Sequence, residues 1–464
     1  MTLTNRIIIM GTLCILLSGC SLIPHYERPS SPVPQQYPYG SASKGQGKLA
    51  YDVGWHEFFK DPRLQKLIEL ALQNNRDYRV SMLNVQETQA QFRIVRYGLL
   101  PSFGLNADSN RQRGIATSST YFKTTTYQAD VNTSYELDVF GAIRSLKAQV
   151  LEQYFATEEA GRAAQISLVA EVAMQYLTIC ALDEQMDLLQ TTLKSVSSYE
   201  DLIDKSYQLG NSTALDLKLA QTQVETINAS VADYARQRAQ AQDALVLLVG
   251  ESLPDDLPSA LSLESEDLLS DLPTGTSSDL IERRPDILQA EHQLKAANDN
   301  IGIVRSNFFP SITLTASDGS ASVKLNKLFT HGTGIWAFSP EISLPLFNEN
   351  TNLANLNAAW ISEKIEVAQY EKAVQNAFRE VSDALVARDT FNAQLSAQQK
   401  LVADEKDRLS LSSARYHSGI DNYLTVLLAQ QDLYNAQANL IQVSLGRFSN
   451  LISLYKALGG GWSS

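Results

Sequence analysis

Apolar and polar residues change period several times along this chain, and each change marks an element. From Asp61 to Gly98 the spacing is helical. Asp61-Pro62 reads as an N-cap followed by proline at the first helical position, and Leu64, Leu67, Ile68 and Ala71 form an apolar stripe. Pro101 ends that region and a period of two begins. Phe103, Leu105 and Ala107 alternate with polar residues. Tyr127, Ala129, Val131, Thr133, Tyr135, Leu137 and Val139 then alternate with Gln128, Asp130, Asn132, Ser134, Glu136 and Asp138. One face is apolar or aromatic and the other wholly polar, over a length suited to crossing a bilayer, which is the pattern of a transmembrane β-strand. A half-buried sheet in a soluble protein shows the same alternation. Further on, Ile312, Leu314 and Ala316 alternate, as do Trp336, Phe338, Ile342, Leu344 and Leu346, with Glu341 and Ser343 opposite. Segments rich in Ser, Thr and Gly, 112–124 and 319–334, read as the loops joining the strands of each pair.

After each strand pair the period lengthens again. Residues 142–208 contain no proline and one glycine, Gly161, and Ile179, Leu182, Met186, Leu189, Leu193 and Val196 step by three and four as a coiled-coil seam. Such a helix would be on the order of 100 Å long. A break at Gly210-Asn211-Ser212-Thr213 precedes a return helix to about Val249. A second long helix from about Asn352 breaks at Ser418-Gly419 and returns to about Leu458, with the seam Tyr434, Ala438, Ile441, Leu445, Phe448, Ile452, Tyr455. The lack of other breaks favours two long coiled-coil hairpins over independent helices.

The order of elements occurs twice. Moving residues 75–250 forward by 209 positions sets Leu100-Pro101-Ser102 on Phe309-Pro310-Ser311, Leu209-Gly210 on Ser418-Gly419, Ala220-Gln221 on Ala429-Gln430 and Gly250 on Gly459. Punctuation recurring at one offset implies a duplicated structural unit. The chain then divides into 1–19, a targeting segment; 20–60, an anchor and extended linker; 61–249, the first repeat, with strands near 101–140 and a hairpin near 142–249; 250–281, an acidic connector at the middle of the molecule; 282–459, the second repeat, with strands near 310–347 and a hairpin near 352–458; and 460–464, a tail.

Composition narrows the class. The 464 residues carry a formal net charge of -13, which argues against a nucleic-acid partner, because phosphate contacts need a basic footprint. No stretch after the targeting segment is read as a transmembrane helix, so a membrane span would be made of strands. Arg6 and the apolar run Ile7 to Leu17 form a targeting segment ending in Leu17-Ser18-Gly19-Cys20. That ending resembles the lipobox of bacterial lipoproteins. The resemblance implies lipidation of Cys20 and, with Ser21 following it, delivery to the outer membrane. An ordinary secretory signal that happens to contain a cysteine is the alternative. Of the other cysteines, Cys14 is removed with the segment, and Cys180 falls in a helical pattern as a small core residue.

Four membrane strands cannot close a barrel alone, and an open edge is not tolerated in lipid. Two copies would give eight strands with a filled interior; three would give twelve with an open bore. At this point the chain resembles the TolC-like outer-membrane efflux proteins, specifically the lipidated branch serving resistance-nodulation-division pumps. The residues that carry the resemblance are Trp55-His56-Glu57-Phe58-Phe59-Lys60-Asp61-Pro62-Arg63-Leu64, the strand-to-helix junction Tyr135-Glu136-Leu137-Asp138-Val139-Phe140-Gly141, the opening of the second repeat Glu282-Arg283-Arg284-Pro285-Asp286-Ile287, and the hairpin end Arg415-Tyr416-His417-Ser418-Gly419-Ile420-Asp421-Asn422-Tyr423-Leu424. The fold this implies is mainly α with a membrane β-barrel. It is a trimeric 12-stranded barrel continuous with a 12-helix coiled-coil α-barrel, with a two-fold internal repeat in each chain.

The same resemblance implies a passive outer-membrane conduit for small amphipathic compounds, working with a periplasmic adaptor (a membrane fusion protein) and an inner-membrane pump. It sets Gly210, Leu215, Asp216, Gly419, Asn422 and Leu424 near the adaptor contact. Arg415, Tyr416 and Asp421 become candidates for links that hold the periplasmic mouth shut. Simple solvation at a turn is the other account of these polar residues. Where many relatives have an acidic residue after the turn this chain has Leu428, so the mouth reads as apolar, with Leu424 and Leu428 contributing. Metal-ion efflux and polypeptide secretion remain as other cargoes. No HExxH, G-x-S-x-G, Walker A or paired cysteines occur, the five histidines are scattered, and neither an enzyme nor a cofactor is expected.

Overall fold

A computed structural model of the chain describes residues 21–37, 52–117, 120–254, 256–258, 263, 283–346 and 349–462. The targeting segment, Cys20, much of the linker and most of the connector lie outside the described residues. The elements are α1 (Trp55–Phe58), α2 (Pro62–Asn74), α3 (Arg76–Tyr97), β1 (Ser102–Thr117), β2 (Thr120–Leu137), α4 (Ala142–Gln208), α5 (Ala214–Val249), α6 (Pro285–Ser306), β3 (Ser311–Ser322), β4 (Gly334–Ser343), α7 (Glu349–His417) and α8 (Tyr423–Ala457). The chain is mostly helical. It forms two compact units: one of residues Met1–Ser30, Asn84–Glu158 and Gln289–Glu371, the other of Ser31–Leu83, Glu159–Leu288 and Lys372–Ser464.

The first unit is built on an antiparallel sheet in the order β1-β2-β3-β4. Register puts the apolar residues on one face: Leu105 opposite Val131, Leu137 opposite Ile312, Tyr135 opposite Leu314, and Ala316 opposite Phe338. Nothing among the described residues covers that face; Phe103, Leu105 and Trp336 are 76%, 80% and 79% exposed. The segment expected as the loop 112–124 is instead mostly strand. Gln112 pairs with Thr124 and Ile115 with Tyr121, so β1 and β2 run on to a short connection after Thr117. Thr-rich β2 has the propensity to extend, and reading Ser and Thr as loop residues missed this. Gly141, at φ 76°, turns β2 into α4, and Asp138 holds that corner by accepting from the Ile143 and Arg144 amides and the Arg144 guanidinium at 2.9–3.0 Å.

Residues 22–28 are strapped along α6. The Leu22 carbonyl accepts from Arg305, the Pro24 carbonyl from Asn298, and Arg28 forks onto the buried Glu291 carboxylate at 2.7 and 3.0 Å. A Cβ on Gly302 would lie 2.6 Å from Ile23, so glycine there permits the close approach. Among residues read as a free extended linker, this stretch is fixed.

The one helical stretch expected over 61–98 is two helices, which break at Asn75 in the second unit. Asn75 has extended backbone, its amide side chain donates to the Leu248 carbonyl at 2.8 Å, and its Oδ1 accepts from the Tyr78 amide at 2.8 Å. The main core gathers Phe58, Phe59, Leu64, Leu67, Leu177 and Tyr455. Phe58 stacks on Tyr455 at 4.0 Å, and the Tyr455 hydroxyl donates to the Val53 carbonyl. Asp61 caps α2 at the Arg63 amide and also accepts from the Tyr176 hydroxyl at 2.6 Å. Contrary to the sequence reading, α4 does contain a stretch apolar enough to cross a membrane by composition, but 61% of it is buried. Its apolarity serves the core, where Val172, Ala173, Leu177 and Cys180 sit.

The second repeat opens on a buried cation. Arg284 donates to Asp286 at 2.6 and 2.9 Å, to Glu380 at 2.8 Å and to the Ala457 carbonyl at 2.8 Å. Burial works against its charge, but the two carboxylates outweigh it and hold the guanidinium more firmly protonated than usual.

Candidate functional site at the paired hairpin ends

Helices α4 and α7 stop in the same way. At the first end the Asn211 amide donates to the Ser206 carbonyl at 2.8 Å and the Gly210 amide to Tyr207 at 3.0 Å; at the second, Ile420 donates to Arg415 at 3.0 Å and Gly419 to Tyr416 at 2.9 Å. This is the Schellman closure, whose left-handed residue is Gly210 (φ 74°) in one and Gly419 (φ 71°) in the other.

The return helices start differently. Thr213 and Asp216 form a capping box: the Asp216 amide donates to Thr213 Oγ1 at 3.1 Å, and the Asp216 carboxylate accepts from the Thr213 hydroxyl at 2.7 Å and its amide at 3.1 Å. The Thr213 hydroxyl, outweighing a slight desolvation, holds the Asp216 carboxyl below its usual range. At the second end Asn422 caps through a longer bond, 3.4 Å from the Thr425 amide. There Arg415 forks onto Asp421, Nε to Oδ2 at 2.6 Å and the outer nitrogen to Oδ1 at 3.0 Å. Arg415 is exposed and Asp421 half-buried; their pairing lowers the Asp421 carboxyl and raises the Arg415 guanidinium from their ordinary values.

Between the two ends lies one apolar cluster of Ile203, Ala220, Tyr423, Val426 and Leu427, with Tyr199 and Tyr416 packed against it. Tyr423 is 2% exposed, its ring 6.2 Å from Tyr199 and 6.0 Å from Tyr416. Burial pushes its hydroxyl up to about 12, with Tyr199 and Tyr416 adding to the effect. Tyr199 reaches across to the Ser413 hydroxyl at 2.8 Å. Sequence reasoning named Tyr416 but not Tyr423 or Tyr199 as site residues. The missed signal was a tyrosine at the first position of a return helix, on the same face as Val426 and Leu427.

The remaining residues named from sequence face outward. Leu215, Leu424 and Leu428 are exposed, the last two by 42% and 50%. Leu424 and Leu428 lie one turn apart on the face of α8 away from the cluster. The site offers two capped turns, an ion pair and three exposed leucines.

The outer membrane efflux protein family matches residues 67–251 and 276–460, each boundary of the second segment lying 209 positions after that of the first. The chain belongs to the outer membrane efflux protein family. It is 44% identical to the antibiotic efflux pump outer membrane protein ArpC of Pseudomonas putida, over 99% of this chain and 96% of that protein. The toluene efflux pump outer membrane protein TtgC, also of Pseudomonas putida, matches at 44% with the same coverage. Among solved structures, the open state of the MtrE outer membrane channel of Neisseria gonorrhoeae superimposes with a TM-score of 0.88 at 38% identity, covering 96% of this chain and 99% of that one. As a member of this family, the chain is the outer-membrane component of an efflux pump.

Proposed function

We propose that three copies of this chain form a passive conduit through the outer membrane for small amphipathic compounds. The observation that carries this reading is the four-stranded sheet whose edges, β1 and β4, are unpaired and whose apolar face is bare among the described residues. Such a sheet is stable in lipid only when the edges of other copies close it. Twelve strands leave a bore, lined by the polar face that carries Asn106, Asn132 and Glu341. Three copies also bring twelve long helices together as a coiled-coil tube for the cargo. Cys20 carries the lipid anchor, and the strap of residues 22–28 along α6 fixes the chain that follows it.

The hairpin ends are the docking point of a periplasmic adaptor, which joins the conduit to a resistance-nodulation-division pump in the inner membrane. Gly210, Leu215, Asp216, Gly419, Asn422 and Leu424 lie at that contact. Arg415, Tyr416, Asp421 and Leu428 set the mouth, and the adaptor opens it by preferring the open form. The relatives named for antibiotics and toluene support a small apolar or amphipathic cargo. The test is growth of a deletion strain on dyes, detergents, antibiotics, and copper or silver salts. Broad hypersensitivity to amphipathic compounds, restored by the wild-type chain, is expected. Sensitivity to metals alone would transfer the assignment to metal export.

A further inference from the structure

Charge at the turn end of the sheet runs against that of the chain. The protein carries -13 overall, yet residues 109–129 hold Arg111, Arg113 and Lys123 and no carboxylate. Register places all three on one face. Arg113 lies directly opposite Lys123, and Arg111 opposite Thr125. Successive odd positions of β1 share a face, so these cations continue the row of Phe103, Leu105 and Ala107. The three are exposed, and no ion pair with a carboxylate is formed by any of them among the described residues. The Arg113 guanidinium is held 4.2 Å over the Tyr121 ring.

Like charges directly opposite each other in a ladder are destabilising. Two cations facing each other without a carboxylate therefore call for an anion from outside the chain. Depth supplies its nature. From Leu137, at the end joined to α4, to Tyr127 the strand climbs about 34 Å, which at the usual tilt is about 25 Å of bilayer. Tyr127 falls at the rim of the apolar band, and the next same-face positions beyond it are Thr125 with Arg111 and Lys123 with Arg113. Exposed Ile115 and Tyr121 follow.

We propose that Arg111, Arg113 and Lys123 form a docking surface for the phosphates of a phosphorylated glycolipid in the outer leaflet, whose acyl chains lie against Leu105, Ala107 and Val131. The proposal rests on the membrane-spanning reading of the sheet. Anionic head groups gain on the order of 1 kcal/mol per basic residue near a membrane surface, a factor of about five each.

The test titrates full-length protein in detergent with diphosphoryl lipid A and with the same lipid stripped of phosphate. The wild-type chain is expected to bind the phosphorylated form at least about tenfold more tightly, with affinity falling as salt rises. Arg111→Gln, Arg113→Gln and Lys123→Gln together should make the two lipids indistinguishable. Equal affinity of the wild-type chain for both lipids, or a triple variant that still discriminates, overturns the proposal. Inorganic phosphate displacing the lipid at equal concentration also overturns it, by assigning the patch to a free anion. Conductance in bilayers of uncharged lipid separates the two readings. A triple variant that conducts like wild type is folded and inserted, whereas free protease cleavage within the strands of both chains after reconstitution would sink the membrane-spanning reading itself.

Discussion

The two hairpin ends close with one backbone geometry and then part company in their side chains. Gly210 and Gly419 occupy the same left-handed conformation 209 positions apart. Beyond them, buried Tyr423 corresponds to exposed Ala214, buried Leu427 of the cluster to exposed Lys218, and buried Ile203 to Ser412. The first repeat supplies its large apolar residue from the outgoing helix and the second mainly from the return helix. At the opposite end of the hairpins the reverse holds. Asn75 reaches the Leu248 carbonyl and Arg284 the Ala457 carbonyl, the same bond at the same offset, made by different side chains. The task there, satisfying the last carbonyls of a return helix, is the same in both repeats. Duplication thus fixes backbone and bonding wherever each repeat works alone, and side chains diverge where the repeats meet.

The largest test of that contrast is at the junctions. Arg284→Ala removes a buried cation, both of its ion pairs and the bond to Ala457, whereas Asn75→Ala removes two neutral hydrogen bonds. Breaking a buried pair costs about 3–5 kcal/mol. Asp286 and Glu380 are 42% and 45% exposed and regain water, so we expect about 3 kcal/mol, against about 2 kcal/mol for Asn75→Ala. Chemical denaturation of the purified variants measures both. Equal losses would mean that the Arg284 carboxylate pairs add nothing to the shared bond.

Glycines at the ends of α5 and α8 sharpen the comparison. Gly250 and Gly459 have φ of 83° and 77°, so alanine at either carries a left-handed penalty of about 1 kcal/mol. Their surroundings differ. A Cβ on Gly250 would lie 2.4 Å from the Asn74 carbonyl oxygen, but one on Gly459 would stand 3.5 Å from Arg284 Cγ. Gly250→Ala is expected to cost about 2 kcal/mol and Gly459→Ala about 1 kcal/mol. A larger loss at Gly459 would contradict the tighter packing of the first junction.

Much of this architecture was legible in the sequence, because it rests on period and punctuation. The alternation in β2 matches its observed face, and the 209-residue offset located both turns and both terminal glycines. What escaped depended on contacts between distant segments. Nothing near Asn75 in sequence shows that Leu248 will offer it a carbonyl. The strap of residues 22–28 holds Pro24 and runs into the proline-rich stretch that follows, so it reads as a linker until Glu291 and Asn298 face it. Tyr423 does share a face with Val426 and Leu427, but its partners Tyr199 and Ile203 come from the other repeat. At the candidate site the turns were visible, while the Arg415–Asp421 fork and the shared cluster needed the structure.

The capping box offers a smaller effect, one that depends on pH. Thr213→Ala is expected to cost about 1 kcal/mol, and Asn422→Ala less, since its 3.4 Å bond is weaker. Asp216 has a depressed folded-state value, so its stabilisation is complete above the ordinary carboxylate value of 3.8 and is lost as pH falls below it. Thr213→Ala should therefore flatten the loss of stability between neutral pH and that acid range, and Asn422→Ala should not. Thermal melts at both ends of the range would decide it; parallel behaviour of the two variants would remove the asymmetry.

The smallest expected change in stability carries the greatest meaning for function. Arg415 is exposed and Asp421 half-buried, and a pair open to solvent on one side holds little against water and salt. Asp421→Asn should leave the melting temperature unchanged. If the fork holds the second hairpin end in the closed arrangement, the same variant should raise single-channel conductance in planar bilayers, most visibly at low salt, where screening is weak. The first end, closed by its capping box, has no corresponding pair to release, so Asp216→Asn should lower stability slightly and leave conductance alone. Leu428→Asp gives an independent reading of the same end. Leu428 stands free on α8, and a carboxylate facing the lumen would increase cation preference. Unchanged selectivity would put Leu428 outside the lumen, and unchanged conductance in Asp421→Asn would reduce the fork to a solvated turn.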